Sequence, residues 1–301
     1  MTAVRRGTLY GAGAYLLWGL FPLYWPLLRP SSAVEVLAHR ILWSLAVVAL
    51  LLAVLRRTGA AVAALRDPHK AWRLVLAAVV IAVNWGTYIY GVSSDQVVET
   101  SLGYFVNPIV TVLMGVLVLR ETLRPGQWVA LGLAAAAVVV LTVENGSPPW
   151  IALVLAFSFG TYGLLKKTAR VGAVEGLGVE TFVLLVPAAA YVAWLGATGG
   201  STFGEEGAGH AALIALSGVI TAIPLLLFGA AASRVPLTTL GILQYLAPTL
   251  QFLIGVLLYD EPMPTVKLVG FVLVWIALAL FTSEAYRHSR RQLRLAVPQP
   301  A

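Results

Sequence analysis

The chain has 301 residues, of which 59% are hydrophobic and 11% charged, and its mean hydropathy is +0.88. A soluble domain carries roughly 25% charged residues, so this chain cannot coat a water-facing surface, and its apolar content excludes intrinsic disorder. On such a chain the net charge of +7 reports membrane orientation and gives no reason to invoke nucleic acid, while the absence of cysteine excludes disulfides, iron–sulfur clusters, thiolate metal sites and a cysteine nucleophile.

A membrane span needs about 20 apolar residues. Apolar runs between charge and Gly/Pro clusters predict ten helices, at 7–28, 34–55, 72–92, 98–119, 126–143, 149–167, 177–196, 211–232, 238–258 and 265–284. The fold class expected is an all-α membrane protein with ten transmembrane helices. The first run opens on Arg5 and Arg6, as a signal peptide does. It is too long for one and nine more runs follow, so it reads as a retained span.

Lysine and arginine set the orientation. With the N-terminus inside, seventeen of the 20 fall on the inner side, Arg29 and Lys267 fall outside, and Arg40 lies within a span. Both termini are therefore predicted to be cytoplasmic. Residues 1–6 form a short cytoplasmic start, and the basic residues 285–301 are expected to be a disordered cytoplasmic tail. The glycine-rich stretch from Gly196 to Gly209 lacks the Gly-Lys-Ser/Thr ending of a phosphate cradle and reads as an outer loop.

An internal repeat runs at a spacing of 140. Residues 107–121, NPIVTVLMGVLVLRE, align with 247–261, APTLQFLIGVLLYDE, at six of 15 positions. The informative matches are Pro108 with Pro248, Gly115 with Gly255 and Glu121 with Glu261. Glu35 pairs with Glu175 at the same offset, and Trp18-Gly19 with Phe159-Gly160 at 141. Residues 7–143 and 149–284 thus read as two five-helix copies. Five is odd, so the second copy must be inverted, a recurring plan of secondary transporters.

Several segments carry a family resemblance: AYLLWGLFPLYW (14–25), EVLAHRILWS (35–44), NWGTYIYGV (84–92), ETSLGYFVNP (99–108), FSFGTYGLLKK (157–167) and ETFVLLVP (180–187). Over residues 7 to 284 the chain resembles the RarD-type members of the EamA group, within the drug/metabolite transporter superfamily. The resemblance implies a ten-helix inner-membrane permease built from two inverted EamA-like repeats. The chloramphenicol-sensitivity label common in that branch names no physiological substrate.

Ionisable groups inside spans cost roughly 2.5–3.5 kcal/mol each near a helix centre and are functional candidates by default. Arg40 lies about a turn and a half into the second predicted helix, and Glu180 about one turn into the seventh. They occupy equivalent repeat positions with opposite charge. Inversion places Arg40 towards the outer end and Glu180 towards the inner end, so they should not pair. Each either lines a vestibule or snorkels to its interface. His39 faces about 100° away from Arg40 and reads as a packing residue. No His or carboxylate spacing in the spans suits a metal.

Polar and small residues form stripes. Thr100, Tyr104, Asn107, Thr111 and Gly115 share one helical face, and Gly241, Gln244, Pro248, Gln251 and Gly255 repeat it 140 residues later. Asn84, Tyr88 and Gly91 share a face of the third helix. Such stripes either pack helices or line a water-filled path. The glycines suit packing, and the larger Tyr104, Asn107, Gln244 and Gln251 suit a cavity wall. Among the aromatics, Trp25 is expected in an interfacial belt, while Trp18 and Tyr162 lie deeper as solute contacts. Lys167 reads as a positive-inside anchor, and Lys166, one turn below Tyr162, is aimed inward.

The function expected is movement of a small organic solute across the cytoplasmic membrane by alternating access. The candidate solute-binding residues are Trp18, Arg40, Asn84, Tyr88, Tyr104, Asn107, Tyr162, Lys166, Glu180, Gln244 and Gln251. No cofactor is implied, and no nucleotide motif is present, so gradients must drive transport. Glu180 is placed to carry a coupled proton, with uniport as the alternative. The partners are the solute and membrane lipid. Rival readings are an intramembrane enzyme acting on lipid or peptide, or a structural subunit. The first lacks a Gly-x-Ser-x-Gly context and has only His39 within a span. The second leaves the inverted repeat without a use.

Overall fold

The computed structural model describes residues 3–119, 125–232, 234–235 and 243–295. Glu121 and Gly241 lie outside the described residues, as do the side chains of Thr111, Gly115 and Lys167. Every regular element among the described residues is helical. The first predicted span is a stepped helix: α1 (Ala3–Gly19), α2 (Phe21–Tyr24) and a 3₁₀ turn (Trp25–Leu28). Then come α3 (Ala33–Val54), α4 (Thr58–Arg66), α5 (Pro68–Ser93), α6 (Val97–Leu119) and α7 (Pro125–Asn145). The second half contains α8 (Trp150–Ala169), α9 (Ala173–Val183), α10 (Leu185–Thr198), α11 (Ala208–Ala232), α12 (Leu246–Leu257) and α13 (Thr265–Leu295).

Helices α3, α5, α7, α11 and α13 are each long and apolar enough to cross a membrane, and α9 with α10 make a sixth such unit bent by 45°. Helices α8 and α12 are shorter apolar helices. Large apolar side chains point outward, Val143 at 78% exposed and Val186 at 73% among them. In water they would form an unfavourable surface, whereas lipid solvates them. The exposed Trp72, Trp128, Trp150 and Trp194 sit near helix ends, where indoles settle at the headgroup level.

Local chemistry explains where the helices start and break. Ser32 caps α3 by accepting from the Glu35 N–H at 3.2 Å, and Asp67 caps α5 by accepting from the His69 N–H at 3.0 Å, with Pro68 at the first helical position. The stepped first span departs from the single helix expected over 7–28. Pro22 and Pro26 each lack an N–H, so the carbonyls of Trp18 and Pro22 lose their helical partners. Both are taken up by the second half: Gln251 Nε2 donates to the Trp18 carbonyl at 3.1 Å, and Tyr259 Oη to the Pro22 carbonyl at 2.9 Å. The seventh expected span bends at Leu184, three residues before Pro187, whose missing N–H releases the Val183 carbonyl. Two further departures are additions. Residues 58–66, expected as a connection, form α4, and α13 continues to Leu295, past the end expected at 284.

The packing is reciprocal between halves. α1 packs on α11 and α12, while α8 packs on α5 and α6. α3 lies against α11 and α9 against α5, and α6 meets α12 as α7 meets α13. Glycines permit two of these approaches. A Cβ on Gly218 would stand 2.5 Å from the Trp43 carbonyl carbon, and one on Gly103 2.8 Å from the Ala152 oxygen. The glutamates at repeat spacing also cross over. Glu35 accepts from the Thr202 N–H at 2.7 Å, in the connection after α10. Glu175 accepts from Arg57 Nη1 at 2.8 Å, in the connection after α3. Glu261 caps α6 by accepting from the Val97 N–H and, at 2.9 Å, from that of Val98. Burial pushes the Glu261 carboxyl above its ordinary value, and those two N–H groups pull it back only in part.

Candidate functional site

Two polar clusters occupy the helical interior. The first is built around Arg40 on α3, which is 3% exposed. Its Nε donates to Thr221 Oγ1 on α11 at 2.9 Å, and that hydroxyl in turn donates to the Ser217 carbonyl at 2.8 Å. Its guanidinium carbon lies 4.2 Å from the ring centre of Trp85, 5.0 Å from that of Trp25 and 5.8 Å from that of Phe21. The phenols of Tyr24, Tyr88 and Tyr104 lie within its electrostatic reach. No carboxylate among the described residues lies within 4.0 Å of it.

The second cluster is built around Glu180 on α9, whose side chain is 1% exposed. Lys166 Nζ on α8 meets its Oε1 at 2.7 Å, and Tyr162 Oη donates to its Oε2 at 3.0 Å. Lys166 and Tyr162 are four residues apart and so project from one face of α8. Gly176, one turn before Glu180, leaves the room that the ammonium occupies. Arg40 and Glu180 do not meet.

A ladder of rings joins the two clusters. Tyr88 and Tyr104 have centroids 5.6 Å apart, Tyr104 and Phe159 6.1 Å, and Phe159 and Tyr162 6.1 Å. Tyr104 Oη donates to Asn84 Oδ1 at 3.3 Å. Asn84 Nδ2 is held in turn by the Leu155 carbonyl at 3.1 Å and Ser158 Oγ at 2.9 Å, which ties α5 to α8. The structure thus brings Arg40, Asn84, Tyr88 and Tyr104 together, and Tyr162, Lys166 and Glu180 together. Trp18 stands apart, edge-on to Tyr15 at 5.3 Å and tilted against Phe228 at 5.8 Å, with its carbonyl on Gln251. The Gln251 amide nitrogen therefore holds a helix, the packing alternative for that stripe. Asn107 is buried in α6, and Gln244 is half-buried beside Tyr245.

Trp25 corrects an expectation. It is 1% exposed and lies against Arg40, not in an interfacial belt. The stepped geometry after Gly19 turns its ring inward, which a straight-helix reading cannot anticipate. Trp85 and Thr221 were likewise missed. Trp85 follows Asn84 directly, and neither carries a signal at the repeat spacing. His39 is buried and stacks on Phe203 at 4.6 Å, so the connection after α10 folds over α3. A surface depression of about 700 Å³ along α4, lined by Thr58, Val62 and Arg66, holds none of the clustered residues.

Residues 5–143 match the model of the EamA-like transporter family. The chain is 58% identical to Protein RarD of Streptomyces exfoliatus, over 98% of this chain and 94% of the relative. It is 43% identical to the uncharacterized transporter YojE of Bacillus subtilis, over 95% of this chain and 96% of that one. A crystal structure of 21% identity shares the fold with a TM-score of 0.59, covering 93% of this chain and 98% of that chain. Identity of this level along almost the whole length leaves one assignment: the chain belongs to the EamA-like transporter family of membrane proteins, in its RarD-type branch.

Proposed function

We propose that the chain is a secondary transporter of the inner (cytoplasmic) membrane. It moves a small organic solute by alternating access between two inverted five-helix halves, residues 7–143 and 149–284, with both termini cytoplasmic. The observation that carries this reading is the reciprocal packing, in which α1 sits on α11 and α12 as α8 sits on α5 and α6. Two halves that embrace each other equivalently can exchange conformations at little net cost, which opens a central site to one side and then the other. The crossed clamps of Glu35 on Thr202 and Glu175 on Arg57 support it.

The solute path runs along the ring ladder from Arg40 to Glu180. Tyr88, Tyr104 and Tyr162 supply contact surface with polar tips, and Asn84 orients Tyr104. Asn107 on α6 and Gln244, just before α12, flank the path, while Gln251 on α12 and Trp18 on α1 brace its wall through the bond from Gln251 to the Trp18 carbonyl. The Lys166–Glu180 pair closes its inner end. Opening that pair leaves a carboxylate able to take a proton, which couples transport to a pH gradient.

Flux of a broad solute panel into proteoliposomes, with and without an imposed pH gradient, tests transport and coupling together. Inversion is tested separately on the cysteine-free chain. Arg66 and Glu206 are both exposed and stand 140 residues apart. Single cysteines there should label from opposite faces of the membrane, Arg66→Cys from the cytoplasm. Labelling of both from one face would overturn the inverted topology.

A further inference from the structure

Arg40 is a buried charge that meets no counter-ion among the described residues. A guanidinium carries five N–H donors. Its Nε is spent on Thr221, while its Nη1 is buried without a hydrogen-bond partner. Two neighbours share that condition: Trp25 Nε1 and Tyr88 Oη are also buried and unpartnered. The Trp25 ring is one of the three against which the guanidinium rests, and the Tyr88 phenol lies within its field. The region therefore holds a positive charge, unmet donors and no counter-ion among the described residues. Ring faces temper the charge but do not satisfy its N–H groups.

A buried donor left without a protein partner is a place where a ligand, ion or water can supply one, and an ionisable group inside a span is a functional candidate by default. The complement of this set is an oxyanion. A planar fork of donors matches a carboxylate best, because both oxygens are engaged at once. The surrounding rings of Phe21, Trp25, Trp85, Tyr88 and Tyr104 favour an apolar or aromatic body behind that group and disfavour a heavily hydrated inorganic ion.

We propose that Arg40 is the anchor for the carboxylate of the transported solute, an organic monoanion whose apolar or aromatic body lies along the ring ladder. This rests on the transporter reading above and adds the charge class of the cargo. Trp25 Nε1 and Tyr88 Oη are the additional donors to the carboxylate, and Thr221 holds the guanidinium in orientation.

The test uses the full chain in detergent and in proteoliposomes. Matched carboxylate and carboxamide pairs with phenyl, indolyl and short alkyl bodies are titrated, reading the fluorescence of the tryptophans that flank Arg40 and the thermal shift. Inorganic phosphate is the control anion. The expected result is saturable binding of at least one carboxylate on the order of tenfold tighter than its amide. That preference should vanish in Arg40→Gln and weaken in Arg40→Lys and in Thr221→Val. Equal binding within every pair, a preference that persists in Arg40→Gln, or binding of phosphate alone would overturn the proposal. Should Arg40→Gln fail to fold, the wild-type pairs and Arg40→Lys still decide. Flux confined to neutral or cationic solutes would remove the carboxylate anchor and leave the transporter standing. Absence of flux for every solute would remove both.

Discussion

Arg40 and Glu180 stand 140 residues apart, the spacing of the sequence matches, and both are almost fully buried. Glu180 has a lysine at 2.7 Å and a phenol at 3.0 Å, so both of its oxygens are engaged. Arg40 has one threonine hydroxyl and three aromatic faces. Among the described residues, one half of the chain thus presents a compensated charge and the other a charge without a counter-ion. On the solute path proposed above, the two ends would then do different chemistry: one holds itself shut, and the other takes a ligand.

The sharpest way to break this contrast is to orphan Glu180. Lys166→Met should destabilise the protein by about 3–5 kcal/mol, because a buried carboxylate is left without its cation. Thermal unfolding in detergent reads this, and adding Glu180→Gln should recover most of the loss. Lys166→Met without effect would erase the distinction between the clusters. A smaller change comes from the hydrogen bonds to each charge. Tyr162→Phe and Thr221→Val each remove one bond to an ionised group and should cost about 1.5–3 kcal/mol by the same measurement.

Smaller still is Arg40→Gln in the ligand-free protein. The relief of the insertion cost of a charge, roughly 2.5–3.5 kcal/mol, nearly offsets the loss of ring contacts worth about 2 kcal/mol and of the Thr221 bond worth about 1.5–3 kcal/mol. Stability should therefore shift by only about 1 kcal/mol, far less than in Lys166→Met. A loss as large as that of Lys166→Met would mean that the apo protein already pairs Arg40.

Glu261 offers a third kind of buried charge, one answered by backbone N–H groups. Its carboxyl is raised by burial above the ordinary 4.5, so the folded chain holds that proton more tightly than the unfolded chain. Its contribution is present below the ordinary value and is lost as pH rises through the raised one. Glu261→Gln should flatten that part of the stability–pH curve, with the smallest effect of the set. An unchanged slope would assign the pH dependence to other groups.

Much of this architecture was legible in the chain. Hydropathy and charge set the solvent, because 11% charge cannot cover a soluble surface. Proline, glycine and glutamate recurring at one spacing pointed to a repeat, because backbone-determining residues retain register when side chains drift. Lys166 beneath Tyr162 was visible as a helical spacing, and Arg40 and Glu180 as charges out of place.

Which groups answer which charges was decided by tertiary structure alone. Arg40 meets Thr221 from 181 positions away, Gln251 meets the Trp18 carbonyl from 233 and Tyr259 the Pro22 carbonyl from 237. Periodicity sees only neighbours a few turns apart, so no local pattern encodes such pairs. The prolines at 22 and 26 were plain in the sequence, yet their consequence was not. They free carbonyls and step the helix, and the step carries Trp25 inward to Arg40. The chain by itself determined its solvent, its helical class and its family. Folding decided that Glu180 is neutralised from within while Arg40 meets no counter-ion among the described residues, because compensation depends on contacts between distant helices.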